Sequence, residues 1–208
     1  MALKVQAFCG GYDSNFLYLV WCEKTKKGIV IDTALEPEEV FAFAKSKGIA
    51  IESAVVMHSH FDHLVGLEKY AEKKVPLLGH VSTKVKVNRR IDEGAKVQVG
   101  EHFLNVMHTP GHRYDCLCLY GERMVFTSDT LFVHSYGRCD LEGSDPQKVY
   151  TTLHRLAALP EKTIVYAGHD YGPTQISTIG EEKKYNIFFH FKSKEDFLSS
   201  VGSRFKVV

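Results

Sequence analysis

His58-Ser59-His60-Phe61-Asp62-His63 packs four metal-ligand side chains into six residues. The apolar run directly before it, Ala54-Val55-Val56-Met57, reads as a buried strand. The histidines and the carboxylate therefore lie on the loop that leaves the carboxyl end of that strand, and loops carried by a rigid scaffold are favoured places for chemistry. Imidazole nitrogens with a carboxylate oxygen suit zinc, iron, manganese or cobalt. His58 and His60 leave the backbone two residues apart and reach one ion, while Asp62 and His63 point elsewhere and serve a second.

Three further candidates each follow another apolar run. His112 sits in Thr109-Pro110-Gly111-His112 after Phe103-Leu104-Asn105-Val106-Met107. Asp129 sits in Thr127-Ser128-Asp129-Thr130 after Met124-Val125-Phe126, and His169 follows Thr163-Ile164-Val165-Tyr166. Ligands at the ends of neighbouring strands converge on one edge of the sheets. Seven side chains then suffice for two ions: His58, His60 and His112 for one, Asp62, His63 and His169 for the other, and Asp129 between them. A structural zinc site would be four-coordinate and rich in cysteine. None of the five cysteines falls in such a pattern, so the set points to catalysis.

Composition sets the limits. A chain of 208 residues is most simply one domain, 1–208, large enough to bury a core without staples. A net charge of +1 supplies no general field for nucleic acid or an anionic membrane. The odd cysteine count (positions 9, 22, 116, 118 and 139) fits a reducing compartment, and the first residues lack a signal-type apolar region, so a cytoplasmic location is expected. Strands are predicted over 3–8, 16–21, 28–31, 97–99, 102–107, 117–120 and 124–127. Helices are predicted over 37–47, ended by Gly48, over 67–74, and from Pro146 to about residue 159 with Asp145 as N-cap. His80, His102, His108, His154 and His190 lack ligand-type spacing. Cys116 and Cys118 read as buried thiols on one strand, and Lys84, Lys86, Arg89 and Arg90 as a solvated basic face.

The His-x-His-x-Asp-His quartet with its later single His, Asp and His resembles the signature of the metallo-β-lactamase superfamily, over roughly residues 3–190. Within that superfamily the chain looks like the glyoxalase II and persulfide dioxygenase branch. Gly137-Arg138-Cys139-Asp140 resembles its Gly-Arg-x-Asp segment, and Gly168-His169-Asp170-Tyr171-Gly172 resembles the ending of persulfide dioxygenases and small hydrolases. The resemblance implies an α/β (α+β) fold, an αββα sandwich. It implies a hydrolase of a small thioester, holding two divalent ions of zinc, iron or manganese. Two cations sharing Asp129 would bring a water to a pKa of about 7, and the resulting hydroxide would attack the acyl carbonyl. Asp129 and Asp62 are the catalytic carboxylates of this reading, Asp62 becoming a base if only one ion binds.

Two other activities share the motif. Persulfide dioxygenases carry the quartet yet hold a single Fe(II), which here would fall on His58, His112 and Asp129 and use a thiol-derived substrate. A lactonase would open a cyclic ester with the same hydroxide. Arg138 and Tyr171 match positions that contact glutathione in relatives and are expected to bind substrate. With only residues 170–208 after His169, the helical glutathione-binding domain of glyoxalase II is expected to be absent. The chain departs from the usual pattern at Met57, Arg113, Tyr114, Asp115 and Ser128, and His134 is an added histidine near Asp129.

Overall fold

A computed structural model describes residues 3–204, with side chains described to residue 201. One sheet carries β1 (Leu3–Gly10), β2 (Asn15–Cys22), β3 (Lys27–Ile31), β4 (Ala50–Val56), β5 (Leu77–His80) and β6 (Arg89–Ile91), in chain order. β1 to β3 are antiparallel, whereas β3 to β6 run parallel. Helix α1 (Glu38–Lys47) connects β3 to β4, and α2 (Leu67–Glu72) connects β4 to β5.

The second sheet draws on β7 (Lys96–Val99), β8 (His102–His108), β9 (Leu117–Gly121) and β10 (Met124–Ser128). A small hairpin follows, β11 (Leu131–Phe132) with β12 (Ser135–Tyr136), then α3 (Pro146–Ala157), β13 (Ile164–Ala167) and β14 (Ile176–Thr178). The sheet order is β14-β13-β10-β9-β8-β7, with β10 and β13 parallel. Helices α4 (Ile179–Tyr185) and α5 (Lys194–Arg204) end the described chain.

Residue alternation explains the layering. In β2, Phe16, Tyr18 and Val20 face the second sheet and pack with Leu104, Leu117 and Phe126, while Leu17 and Leu19 face outward to Val40, Ala44 and Tyr70 of α1 and α2. Successive strand residues point to opposite faces, so a continuous apolar run such as 16–20 marks a strand covered on both sides. The second sheet repeats this: Val125 and Val165 face outward onto Val149, Leu153 and Phe197 of α3 and α5. The result is the expected αββα sandwich.

The expected elements occur within a few residues of their predicted limits. Gly48 takes the left-handed conformation that ends α1 (φ 65°), and Asp145 accepts from the amides of Gln147 and Lys148. Cys116 lies just before β9 rather than on it, and all five cysteines are unpaired. Part of the basic face, Arg89 and Arg90, is the short edge strand β6. Among the described residues no helix is long and apolar enough to cross a membrane.

Candidate metal centre

All seven expected donors meet at one edge of the sandwich, on the loops after β4, β8, β10 and β13. His60 Nδ1 stands 3.1 Å from His58 Nε2 and 2.8 Å from His112 Nε2. In the second set His63 Nε2 is 3.2 Å from His169 Nε2 and 3.3 Å from Asp62 Oδ2, and His169 Nε2 is 3.6 Å from Asp62 Oδ2. Asp129 touches both sets: Oδ2 is 3.6 Å from His112 Nε2 and 3.3 Å from His169 Nε2, and Oδ1 is 3.2 Å from His63 Nε2.

These spacings suit a cation. Metal–ligand bonds of 2.0–2.1 Å in a tetrahedron put ligand atoms about 3.3–3.4 Å apart. Asp129 Oδ1 is buried without a hydrogen bond, which costs stability unless a cation or proton donor satisfies it. The imidazoles are also turned correctly. His112 Nδ1 donates to the Arg138 carbonyl at 2.7 Å and His169 Nδ1 to the Asp13 carbonyl at 2.8 Å. Carbonyls only accept, so both rings carry their proton on Nδ1 and present the Nε2 lone pair to the centre.

Asp32 and Asn15, which no motif marks, and Ser128, a departure from the motif, hold the donors. Asp32, just after β3, accepts from His63 Nδ1 at 2.8 Å and from Ser128 Oγ at 2.9 Å. Ser128 Oγ also lies 3.3 Å from His58 Nδ1, so one hydroxyl links the two donor sets through Asp32. Asp32 and Ser128 both have positive φ (70° and 44°), a strain retained where the surroundings over-determine the backbone. Asn15, fully buried at the start of β2, donates to Asp62 Oδ2 at 3.0 Å. Asp32 had a legible signal, since it ends the apolar run 28–31 just as Asp129 ends 124–126. Asn15 had none.

Glycine accounts for two of the motif positions. A Cβ on Gly137 would lie 1.7 Å from the Asp129 carbonyl oxygen, and one on Gly168 would lie 2.3 Å from Asp129 Oδ1. Only a residue without a side chain lets these loops cross the bridging carboxylate so closely.

Electrostatics divides the two donor sets. Burial, reinforced by the neighbouring His63, drives the His58 imidazolium form well below its usual range, and burial holds His60 near about 4. His112 is lowered by burial against the opposing pull of Asp129. Burial also opposes charge on His63 and His169, but carboxylates outweigh it, Asp32 and Asp129 for the former and Asp129 for the latter, so both are raised. Burial alone would raise Asp62, yet His63 and Asn15 bring it to about 2.

Arg138 and Tyr171 line the same cavity, which has a volume of about 400 Å³. Each already meets a carboxylate of this chain. Arg138 makes a two-pronged contact with Asp140 at 2.8 and 2.6 Å, and the Tyr171 hydroxyl donates to the Asp13 carboxylate. His134 lies outside that lining, with its ring against Tyr185. His80 and His108, set apart by sequence spacing, come together with Asp92. Their rings stack in parallel (3.8 Å, 16°), so the in-plane lone pairs do not converge on an ion.

An αββα sandwich with a shared-carboxylate histidine centre at one edge defines the class. Residues 10–169 match the family model of the metallo-β-lactamase superfamily, and the chain belongs to that superfamily. It is 33% identical to a probable hydroxyacylglutathione hydrolase of Schizosaccharomyces pombe, over 93% of this chain and 89% of that one. It is 28% identical to the mitochondrial persulfide dioxygenase ETHE1 of Bos taurus, over 83% of this chain and 70% of that one. The crystal structure of ETHE1 from Myxococcus xanthus superposes with a TM-score of 0.90 at 28% identity, covering 97% of this chain and 91% of the other. The chain spans 62% to 65% of the length of three bacterial hydroxyacylglutathione hydrolases.

Asp32→Ala is expected to weaken metal binding by about 10–100-fold, the usual cost of losing a group that orients a ligating histidine. Titration of the stripped variant with zinc under a competing chelator measures it. Unchanged affinity would show that the Asp32 contacts do not set the donors.

Proposed function

We propose that the chain is a metal-dependent thioester hydrolase of the hydroxyacylglutathione hydrolase type. The observation that carries this reading is the 33% identity to a probable hydroxyacylglutathione hydrolase over 93% of this chain, and Asp62, His63 and His169, 3.2 to 3.6 Å apart beside the first set, supply donors for a second ion. Divalent cations held there would supply Lewis acidity and an activated water.

The chain's own groups set the conditions for that chemistry. Asp129 contributes a shared negative charge within contact of both sets. A carboxylate held near 2 is a poor proton acceptor at neutral pH, so Asp62 is assigned to holding a cation, with Asn15 fixing its oxygen. No cysteine lines the cavity, and none is needed as nucleophile. A thiolate leaves without strong acid assistance, so the reaction places no demand for a general acid on the lining. Five unpaired thiols support a reducing, cytoplasmic setting.

The second reading, a single-iron persulfide dioxygenase, is favoured by the close superposition on ETHE1. Metal content of protein from cells supplied with zinc and iron decides between them, followed by assay with a hydroxyacyl thioester of glutathione. About two ions per chain with thioester turnover supports the hydrolase. One iron per chain with oxygen uptake on glutathione persulfide would overturn it in favour of the dioxygenase.

Metal loss should follow the electrostatic division. Ligating imidazoles must be neutral, so raised pKa values mean protons to displace. As pH falls, His63 and His169, whose pKa values are raised, take up protons before His58, His60 and His112, whose values are lowered. Lowering pH should therefore release the ion of the Asp62, His63 and His169 set first, leaving one ion per chain before none. Elemental analysis after equilibration at each pH, compared with His169→Ala, checks the order.

A further inference from the structure

We propose that the cavity is built for a thioester with a carboxylate at one end and an apolar group at the other, Arg113 anchoring the carboxylate and Tyr12 and Phe61 walling the apolar end. This rests on the thioester-hydrolase reading and adds its substrate class. Arg113, beside His112, departs from the family pattern, and its guanidinium is held rather than loose. Nε donates to Ser59 Oγ at 2.7 Å, Nη1 donates to the Glu142 carbonyl at 3.3 Å, and the group lies over the Tyr114 ring at 5.2 Å. The buried Asp115 carboxylate stands 3.7 Å from Nε and helps to fix it. Two of the five guanidinium donors are thereby engaged within the described residues, and a planar head with donors to spare is suited to a carboxylate. The other cation of the cavity, Arg138, differs because both prongs of its contact close on Asp140.

Tyr12 and Phe61 form the apolar end, Tyr12 beside the second donor set. Arg113 docks on Ser59, between His58 and His60, so it borders the first set. Tyr12 adjoins Asp13, whose carbonyl holds His169 of the second set, and its ring packs edge-on to Phe61 at 5.1 Å. Tyr12 is 75% exposed and Phe61 68%, and both line the cavity. Large apolar side chains left that open at a concave mouth mark a binding wall. A substrate with its thioester at the shared Asp129 would therefore lay one arm toward the cation and the other toward the aromatic pair.

The test uses the metal-loaded enzyme and two substrate pairs. One is the phenylacetyl thioester of 3-mercaptopropionate with its methyl ester; the other is the benzyl thioester of succinate with its methyl ester. The wild type should favour the free carboxylate in at least one pair, chiefly through KM. Arg113→Ala should cut that preference about tenfold, the usual value of a charge-assisted contact, and Arg113→Lys should restore part of it. Glu142→Gln, at an exposed acidic neighbour, should raise the preference by about twofold and stands in if Arg113→Ala does not fold. Tyr12→Ala should weaken phenyl-bearing substrates relative to their methyl analogues. Absence of any carboxylate preference in the wild type, or a preference untouched by the Arg113 and Glu142 variants, would overturn the proposal. Calorimetry with thioether analogues of both pairs reads the same preference without turnover. If nothing is hydrolysed but the analogues still discriminate through Arg113, the hydrolase reading falls and the anchor stands.

Discussion

Asp129→Ala is expected to strip both ions and to lower kcat/KM roughly 10³-fold or more, beyond the loss typical of an outer-lying partner. Asp129 sets a carboxylate oxygen beside each set, Oδ2 facing His112 and His169 and Oδ1 facing His63. Its removal also leaves His63 without one of the two carboxylates that raise it. The backbone there is fixed independently, since the Thr130 amide donates to the Thr127 carbonyl and the Gly168 amide to the Ser128 carbonyl. The variant should therefore fold, as circular dichroism would confirm, while elemental analysis shows metal well below one per chain. Asp129→Asn keeps the shape and removes the charge, and should lose nearly as much. Substantial turnover in either variant would contradict the hydrolase and the dioxygenase alike, because both readings place a cation on this carboxylate.

The donors were legible in the sequence because each ends an apolar run, and strand ends of one sandwich share an edge. The sandwich was legible for a related reason: a run such as 16–20, apolar on both phases of the pleat, requires cover on both faces. What lay hidden depends on distant pairing. Asn15 reaches Asp62 and Ser128 reaches Asp32 across long stretches of chain, and no local spacing announces either contact. Short strands escaped as well: β5 has four residues, and the edge strand β6 has three with two exposed arginines, so neither carries an alternation to read. The same limit applies to charge. Arg138 and Tyr171 were marked as substrate contacts from motif positions, whereas their engagement by Asp140 and Asp13 follows only from the folded loops. Arg113, a departure from the motif, places its hydrogen bonds on a hydroxyl and a carbonyl instead of a carboxylate.

His169→Ala separates the two enzyme readings more sharply than any change to the first set. His169 Nε2 contacts His63, Asp62 and Asp129, and none of its contacts reaches His58 or His60. In a two-ion hydrolase its loss removes one of three nitrogen and oxygen donors from the second set, so that ion should leave. Thioester turnover should then fall roughly 10²-fold or more, with about one ion per chain remaining. A single iron on His58, His112 and Asp129 would keep every ligand. Oxygen uptake on glutathione persulfide would then survive within about tenfold, reduced only by the freer Asp129. His112→Ala provides the contrast, since it belongs to the ligand set of both readings and should disable either enzyme. A His169 variant that retains full metal content and full thioester turnover would show that the second donor set, however well formed, is not where the hydrolase works.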